Sequence, residues 1–448
     1  MLKPRTFYSL ALYLLLPYIF IRLAWRGRKQ PEYLRHIGER FGFYSQQLNS
    51  DKPVIWLHAV SVGETRATQS LVTQLRASYP GHRILLTHTT PTGRAASEQL
   101  YGNDVMRIYL PYDYPFAVRR FLNHFRPQLG MLMETEIWVN LIHACRHNNI
   151  PLLLLNARMS EKSAKGYASF AKLTHPTLAA LNAVAAQTDD DAARLTRLGA
   201  NNVTVMGNLK FDIDPSEAML TLGTQLREQF GGQRKVLLAA STRANSIQDG
   251  EEALLLDALQ QVNDPGLLVV IVPRHPQRFD EVANLLEQRN IKYQRRSAGQ
   301  SIAADTAIVL GDSMGEMFAY YAAADLAFIG GSLLPFGGQN LIESCAVGTP
   351  VLIGPHTYNF TEATRLATRC GAAIQVQDAQ QLIAEAQRLL ADTSSLGEMH
   401  TQCLNFVGIN RGATDKALHI INGLIDGSSE QSAHPNQGPD KETANHES

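Results

Sequence analysis

Two doubly wound α/β domains in series are what this sequence predicts, and three observations carry the expectation. The apolar runs are short and continuous rather than alternating, as in parallel strands buried on both faces. Stretches of helical period separate them. This alternation pauses at Asp212-Ile-Asp-Pro-Ser216 and then begins again. At roughly 100–200 residues per domain, 448 residues suffice for two or three full cores.

The N-terminus comes first. Residues 1–40 hold eight basic residues against Glu32 and Glu39, a net +6 within a chain whose 41 Lys+Arg balance 41 Asp+Glu. Inside this segment Phe7–Ile21 (FYSLALYLLLPYIFI) has no charge, and Leu23-Ala24-Trp25 extends it. One helix over that run spans roughly 22 Å, short of a ~30 Å hydrocarbon core. A basic RGRK follows where a signal peptide would carry a small-residue cleavage site. The pattern fits a short anchor or interfacial helix with its C-terminal side in the cytoplasm, and Pro17 is expected to kink it. A buried core helix accounts for the same run.

In the first half the expected strands are Val54–His58, Arg83–Thr89, Arg107–Leu110, Gln128–Met133, Pro151–Asn156, Ala183–Gln187 and Asn202–Gly207. Helices are expected between them, among others over Thr65–Ser78, Val139–Asn148 and Ser163–Leu181. After the linker the expected strands are Val236–Ser241, Gly266–Pro273, Ala307–Gly311, Leu326–Gly330, Pro350–Gly354 and Ala372–Val376. The domains so drawn are an anchor and basic flank over 1–30, a first α/β domain over 31–213, a second with closing helices over 214–426, and a disordered tail over 427–448.

Composition removes several classes. An apolar fraction of 45% without repeats excludes a disordered or fibrous chain. No basic run is long enough to grip nucleic acid. Cys145, Cys345, Cys370 and Cys403 are scattered, without the paired spacing of a disulfide framework or zinc site.

In doubly wound folds ligands sit beyond the carboxyl ends of the strands, so chemistry is sought there. Val54–His58 runs into Ala59-Val-Ser-Val-Gly63-Glu64, a glycine turn opening a helix. A carboxylate in a first helical turn also complements the helix dipole, a purely structural role. Further strand ends carry Glu134-Thr-Glu136, Arg158 and Lys210, and together these point to one charged cleft. In the second half a strand ends in Pro273-Arg274-His275, another in Gly311-Asp-Ser-Met314-Gly315-Glu316, and a third in Gly330-Gly331-Ser332. Phe336-Gly-Gly-Gln-Asn340 then leads into a helix bearing Leu341, Ile342 and Glu343. Glycines let backbone N–H groups approach an anion, and Arg274 offers a planar fork to phosphate. The expectation is a nucleotide site without a P-loop or GxGxxG.

Two other patterns compete. Thr188-Asp-Asp-Asp191 and Asp212-Ile-Asp214 contain Asp-x-Asp, which can hold a metal with a nucleotide phosphate; the first is expected to cap a helix over Asp190–Leu198 instead. Ala59-Val-Ser61-Val-Gly63 has the outline of a nucleophile elbow without its first glycine.

Seven segments in order, HAVSVGE (58–64), METEIWVN (133–140), NARMS (156–160), GNLKFD (207–212), PRHPQRF (273–279), GDSMGE (311–316) and GGQNLIE (337–343), make the chain resemble the 3-deoxy-D-manno-octulosonic acid (Kdo) transferases of lipopolysaccharide assembly. The likeness runs from the hydrophobic N-terminus to about residue 425. It implies a GT-B fold, two Rossmann-like domains facing a cleft behind an N-terminal membrane anchor. It also implies CMP-Kdo as donor, the lipid A precursor lipid IVA as acceptor, inner-membrane association, and inverting transfer without a metal or other cofactor. By the same resemblance Glu64 is the general base, and Glu134 and Lys210 stabilise the transition state. Pro273, Arg274, Met314, Gly315, Glu316, Asn340, Leu341, Ile342 and Glu343 match the CMP-binding segments. Arg158 or Lys210 would meet the sugar carboxylate. The first domain would then take the acceptor and the second the donor, with the final helix (Gly412–Leu424) packing back on the first.

Three other classes stay open on the residues alone. A nucleotide-sugar epimerase of similar build would need no lipid-facing N-terminus. A membrane-tethered nucleotide-binding protein would need no Glu64, and a serine hydrolase would use Ser61.

Overall fold

A computed structural model of the chain describes residues 3–45, 52–246, 249–260, 262 and 264–433. It forms two compact units. Unit 1 comprises Met1–Asp212 together with Arg411–Ser448, and unit 2 comprises Ile213–Asn410.

Unit 1 is built on β1 (Val54–His58), β2 (Arg83–His88), β3 (Met106–Tyr109), β4 (Pro127–Met133), β5 (Leu152–Ala157), β6 (Ala183–Ala186) and β7 (Val203–Val205). Their order is β3-β2-β1-β4-β5-β6-β7, with every pairing parallel. Trp56 belongs to the core on one face of this sheet, while Ile55 and Leu57 belong to the core on the other. Burial on both faces is why these strands read as unbroken apolar runs. The order reverses between β1 and β4, and this is where a doubly wound sheet opens a crevice.

Unit 2 repeats the plan with β8 (Lys235–Thr242), β9 (Leu267–Pro273), β10 (Tyr293–Arg295), β11 (Ile308–Leu310), β12 (Leu326–Ile329), β13 (Val351–Ile353) and β14 (Ala373–Gln375). Their order is β10-β11-β9-β8-β12-β13-β14, again parallel throughout, with the reversal between β8 and β12.

Four kinds of expectation need correction: a strand, two over-long helices taken together, and each end of the chain. Strand β10 was not expected: its three half-buried residues, Tyr293-Gln-Arg295, hold no apolar run and are recruited by pairing with β11. The helix expected over Thr65–Ser78 breaks at Thr68, whose hydroxyl donates to the Thr65 carbonyl, giving Val62–Ala67 and Gln69–Ser78. The helix expected over Ser163–Leu181 is likewise two, Glu161–Ala168 and Ala171–Leu178.

The third correction concerns the N-terminus. Where one helix was expected as an anchor there are two shorter ones, Pro4–Leu14 and Leu16–Lys29, separated at Leu15 with Pro17 in the first turn of the second. Proline there lacks an amide hydrogen and crowds the carbonyl one turn earlier, so the first helix cannot continue through it. No single helix among the described residues is long and apolar enough to cross a membrane; Pro4–Leu14 and Leu16–Arg28 pass that test only as a pair bent by 48°. The first helix is fastened to unit 1. Tyr8 donates to the buried Asp113 carboxylate at 3.0 Å, which also accepts from the Asn140 and Leu141 amides, and Tyr114 donates to the Leu12 carbonyl at 2.8 Å. Phe7, Leu14 and Ile21 point the other way, 69, 82 and 68% exposed.

The fourth concerns the C-terminus. The chain from Arg411 belongs to unit 1, so the domain boundary drawn at 426 is misplaced, although the expected packing of the final helix on the first domain is found. That helix, Ala413–Ala433, runs beyond 427, where a disordered tail was expected to begin. Residues 434–448 lie outside the described residues. Ala413, Ala417, Ile421 and Ile425 complete the unit 1 core beside Leu71 and Leu75. Asp212 caps this helix, accepting from Gly412 N–H at 2.8 Å and from Thr414 N–H.

Candidate functional site

The β1/β4 reversal in unit 1 gathers the expected residues. Ser61 caps the helix Val62–Ala67, and Glu64 is its third residue. The Glu64 carboxylate accepts from Val60 N–H at 2.7 Å and from the Ser61 hydroxyl at 2.9 Å, and Ser61 Oγ accepts from Glu64 N–H at 3.3 Å. This is a variant of the capping box, so Glu64 has a structural role whatever else it does. It also removes the nucleophile-elbow reading, because the Ser61 hydroxyl is directed at a carboxylate and not at a histidine. Burial, then the charge of Glu134 and more weakly of Glu136, outweigh the two stabilising bonds and push the Glu64 carboxyl up to about 7.

Glu134 follows β4 with φ 55, in the left-handed region that disfavours side chains with a Cβ. Its amide donates to the Leu155 carbonyl at 2.9 Å, which holds the turn against β5. Lys210 Nζ lies 3.7 Å from Glu134 Oε1. Glu136 accepts from the Trp138 indole at 2.6 Å, and burial pushes its carboxyl up. His58 approaches Glu136 at 3.8 Å, but full burial drives its ring down to about 3, so this is a contact with a neutral imidazole.

Lys210 is set by a residue whose role the sequence left unassigned. Asn156, fully buried with φ 53, accepts from Leu209 N–H at 3.1 Å through its side-chain oxygen. Its carbonyl accepts from Gln187, and Gln187 in turn accepts from Asn208, whose Oδ1 accepts from Lys210 N–H at 3.0 Å. The ends of β5, β6 and β7 are thereby tied into one support. Arg158, also after β5, is exposed, and its carbonyl accepts from the Thr135 hydroxyl at 2.7 Å.

Both Asp-x-Asp sequences are used as caps. Thr188 accepts from Asp191 N–H and donates to Asp191 Oδ2, while Asp191 Oδ1 accepts from Met159 N–H at 2.8 Å. The observed helix is Asp189–Arg197.

In unit 2 Pro273 closes β9, and Arg274 N–H donates to the Thr242 carbonyl at 3.0 Å. The His275 ring is pushed down by burial first, then by Arg243, Arg274 and Arg278, which marks a basic group at the ends of β8 and β9. Arg278 is committed elsewhere, to the buried Glu252 at 3.1 Å. Arg243 stacks 4.4 Å from the Phe336 ring centroid and was not singled out in the sequence, although it directly follows the first strand of its unit at the β8/β12 reversal. Ser241 before it has φ 55, a strained value for a non-glycine residue beside a candidate site.

Met314 is 56% exposed, and Gly315 has φ +82 with open space where a Cβ would stand. Glu316 accepts from Ser313 Oγ at 2.6 Å and lies 3.5 Å from Arg296. Asn340 caps the six-residue helix Leu341–Ala346, accepting from Ile342 N–H and donating to Glu343 Oε1 at 3.1 Å. Leu341 and Ile342 are fully buried, so their side chains face the core. The Gly330-Gly331-Ser332 turn does not offer its amides to an external anion: Gly331, Ser332 and Leu333 N–H all donate to the Glu251 carboxylate.

Two parallel α/β units with charged strand ends at each sheet reversal define a class shared by glycosyltransferases and some epimerases. A glycosyltransferase from Rickettsia africae superposes with TM-score 0.54 at 16% identity, covering 84% of this chain and 99% of that one. A UDP-GlcNAc 2-epimerase from Neisseria meningitidis superposes with TM-score 0.55 at 15% identity, covering 83% and 100%. At such identities the fold alone is shared. Sequence decides between the two activities. The profile described as 3-Deoxy-D-manno-octulosonic-acid transferase (kdotransferase) matches residues 35–213. The 3-deoxy-D-manno-octulosonic acid transferase of Bordetella pertussis is 41% identical, covering 93% of this chain and 98% of that one. That of Haemophilus influenzae is 34% identical, covering 94% and 99%. The chain is therefore a glycosyltransferase, and it belongs to the Kdo transferase family.

Proposed function

We propose that this Kdo transferase takes Kdo from CMP-Kdo and delivers it to lipid IVA, with inversion and without a metal, at the cytoplasmic side of the inner membrane. The observation that carries the reading is the carboxylate group at the β1/β4 reversal, where Glu64 is pushed up to about 7 beside Glu134 and its partner Lys210. A sugar hydroxyl is a weak nucleophile, and a base matched to neutral pH takes its proton as attack proceeds. The acceptor oxygen bonds to the anomeric carbon of Kdo while the bond from that carbon to the CMP phosphate oxygen breaks. The proton goes to Glu64 and the bonding pair leaves with CMP. Lys210 faces the negative charge that the transferring sugar carries, with Glu134 fixing its position, and Arg158 is a second cation for the sugar carboxylate. In unit 2, Arg274 and Arg243 meet the departing phosphate, with Met314-Gly315-Glu316 and Asn340–Glu343 bordering the nucleotide. These cations supply the charge that a divalent ion would otherwise provide.

Support for membrane association comes from the exposed Phe7, Leu14 and Ile21 beside the basic residues of the first forty. Apolar side chains flanked by Arg and Lys suit a surface of anionic lipid. Incubation with CMP-Kdo and lipid IVA, followed by mass spectrometry of the lipid, tests the whole reading. A gain of one or more Kdo masses is expected; transfer from a different nucleotide sugar, with CMP-Kdo inert, overturns it.

A further inference from the structure

Glu251 lies just past a turn in the middle of the chain, and among the described residues no Lys or Arg forms an ion pair with it that would explain its burial. Its side chain is 0% exposed. Oε2 accepts from Arg243 N–H at 2.9 Å and Gly331 N–H at 2.6 Å; Oε1 accepts from Ser332 N–H at 2.9 Å and Leu333 N–H at 3.0 Å. Burying a carboxylate costs several kcal/mol unless its oxygens are satisfied, and here four amides satisfy it. The amides come from two places only, the end of β8 and the end of β12, the strands that flank the reversal of unit 2.

What this clamp fixes extends beyond the four donors. With Gly331 held at φ +70, its carbonyl accepts from Gly338 N–H at 2.7 Å, and the Gly330 carbonyl accepts from Gln339 N–H at 3.0 Å. The next residue is Asn340, the cap of the helix that carries Glu343. On the other side, Arg243 is bound at both backbone groups, since its carbonyl also accepts from Glu251 N–H at 3.0 Å. Convergent backbone amides form an anion cradle, and in this protein the cradle is filled from within.

We propose that Glu251 is a positioning residue for the donor nucleotide: an internal carboxylate that occupies the backbone cradle and holds Arg243 and the 331–343 segment in their binding geometry before the ligand arrives. The proposal rests on the reading that unit 2 takes the nucleotide. Glu251→Gln is a demanding substitution, because an amide presents NH₂ to one pair of N–H donors where the carboxylate presented oxygen.

Two measurements test it. In the unmodified protein, hydrogen exchange is followed across residues 329–343 with and without CMP. Amides of Gly331, Ser332 and Leu333 are expected to be protected already in the free protein. Protection that appears only with CMP overturns the proposal and needs no variant to fold. In the second, CMP affinity and the two Michaelis constants are compared for the parent, Glu251→Gln and Arg274→Ala. The Gln variant is expected to raise the CMP Kd and the KM for CMP-Kdo by about tenfold or more, leaving the lipid KM within about twofold. A merely structural residue would instead lower the amount of active protein and move both constants little or together. A folded Gln variant with parental CMP affinity, while Arg274→Ala weakens CMP, overturns the role of Glu251 alone. Unchanged affinity in both variants overturns the donor assignment and this proposal with it.

Discussion

Lys210 Nζ stands 3.7 Å from the Glu134 carboxylate, joining the turn after β7 to the end of β4. That ion pair sets a positive charge beside the carboxylates of the β1/β4 reversal, where negative charge on a transferring sugar would be met. Lys210→Met is expected to lower turnover by about 10²–10³-fold, the cost of removing one aimed transition-state donor. Steady-state kinetics should show kcat and kcat/KM falling together. A change confined to KM would mean that Lys210 only binds the ground state.

Glu64→Gln keeps the shape of the cap and removes the base. Turnover is expected to fall by about 10²–10⁴-fold with CMP affinity unchanged. In the parent, kcat/KM should rise with pH around a midpoint near 7, where burial and Glu134 place the carboxyl. Stability moves the opposite way. Because the folded-state value is above the ordinary 4.5, the stability from the bound proton is complete below about 4.5 and is lost as pH rises through about 7. The melting temperature of the Gln variant relative to the parent should therefore improve from about pH 5 to about pH 8. Parental turnover in a folded Gln variant would leave Glu64 with only its capping role.

Arg274→Ala should weaken CMP by about 1.5–3 kcal/mol, the range for hydrogen bonds to a charged group. Calorimetry on the folded variant decides this, and unchanged affinity would move the donor site elsewhere.

Excess EDTA should leave transfer intact. Asp212 spends both oxygens on amides at a helix start, and Asp191 spends one on the Met159 amide and the other on the Thr188 hydroxyl, which weakens the case for either as a metal ligand. Activity lost to EDTA and restored by Mg²⁺ or Mn²⁺ would refute this.

The exposed side of the N-terminal helices should govern membrane affinity. Replacing Phe7, Leu14 and Ile21 together by serine is expected to lower co-sedimentation with anionic vesicles at least about tenfold, since each buried apolar side chain contributes about 1.5–3 kcal/mol. Tyr8–Asp113 and Tyr114–Leu12 remain, so the melting temperature should hold. Unaltered sedimentation would place the lipid contact on other surfaces.

Sequence was a good guide wherever a strand is buried on both faces, because Val54–His58 or Leu267–Pro273 cannot be written without an apolar run. It failed at Tyr293–Arg295, an edge strand made by its neighbour rather than by its own residues. At the site, Glu64, Glu134 and Lys210 were legible because strand-end charges stand out against apolar runs. Glu251 was not: its four donors lie eight residues before it and 80 to 82 after it, and no local pattern announces that meeting. The Gly330-Gly331-Ser332 turn it grips therefore looked like an open anion cradle. The N-terminal run showed its composition but not its fastening, since Asp113 and Asn140 lie over a hundred residues away.

The helix Ala413–Ala433 gives synthesis of this chain a definite order. Unit 1 leaves off at Asp212 and is finished only after Arg411, whereas all of unit 2 lies between them. On a ribosome adding ~5–20 residues per second, those 198 intervening residues take roughly 10–40 s. Throughout that interval the nascent chain presents the strip beside Leu71 and Leu75 that Ile421 and Ile425 later cover. Unit 2 suffers no such delay, because it is one continuous segment, Ile213–Asn410, that needs nothing translated after it. The unit carrying Glu64 is thus the later of the two to be completed.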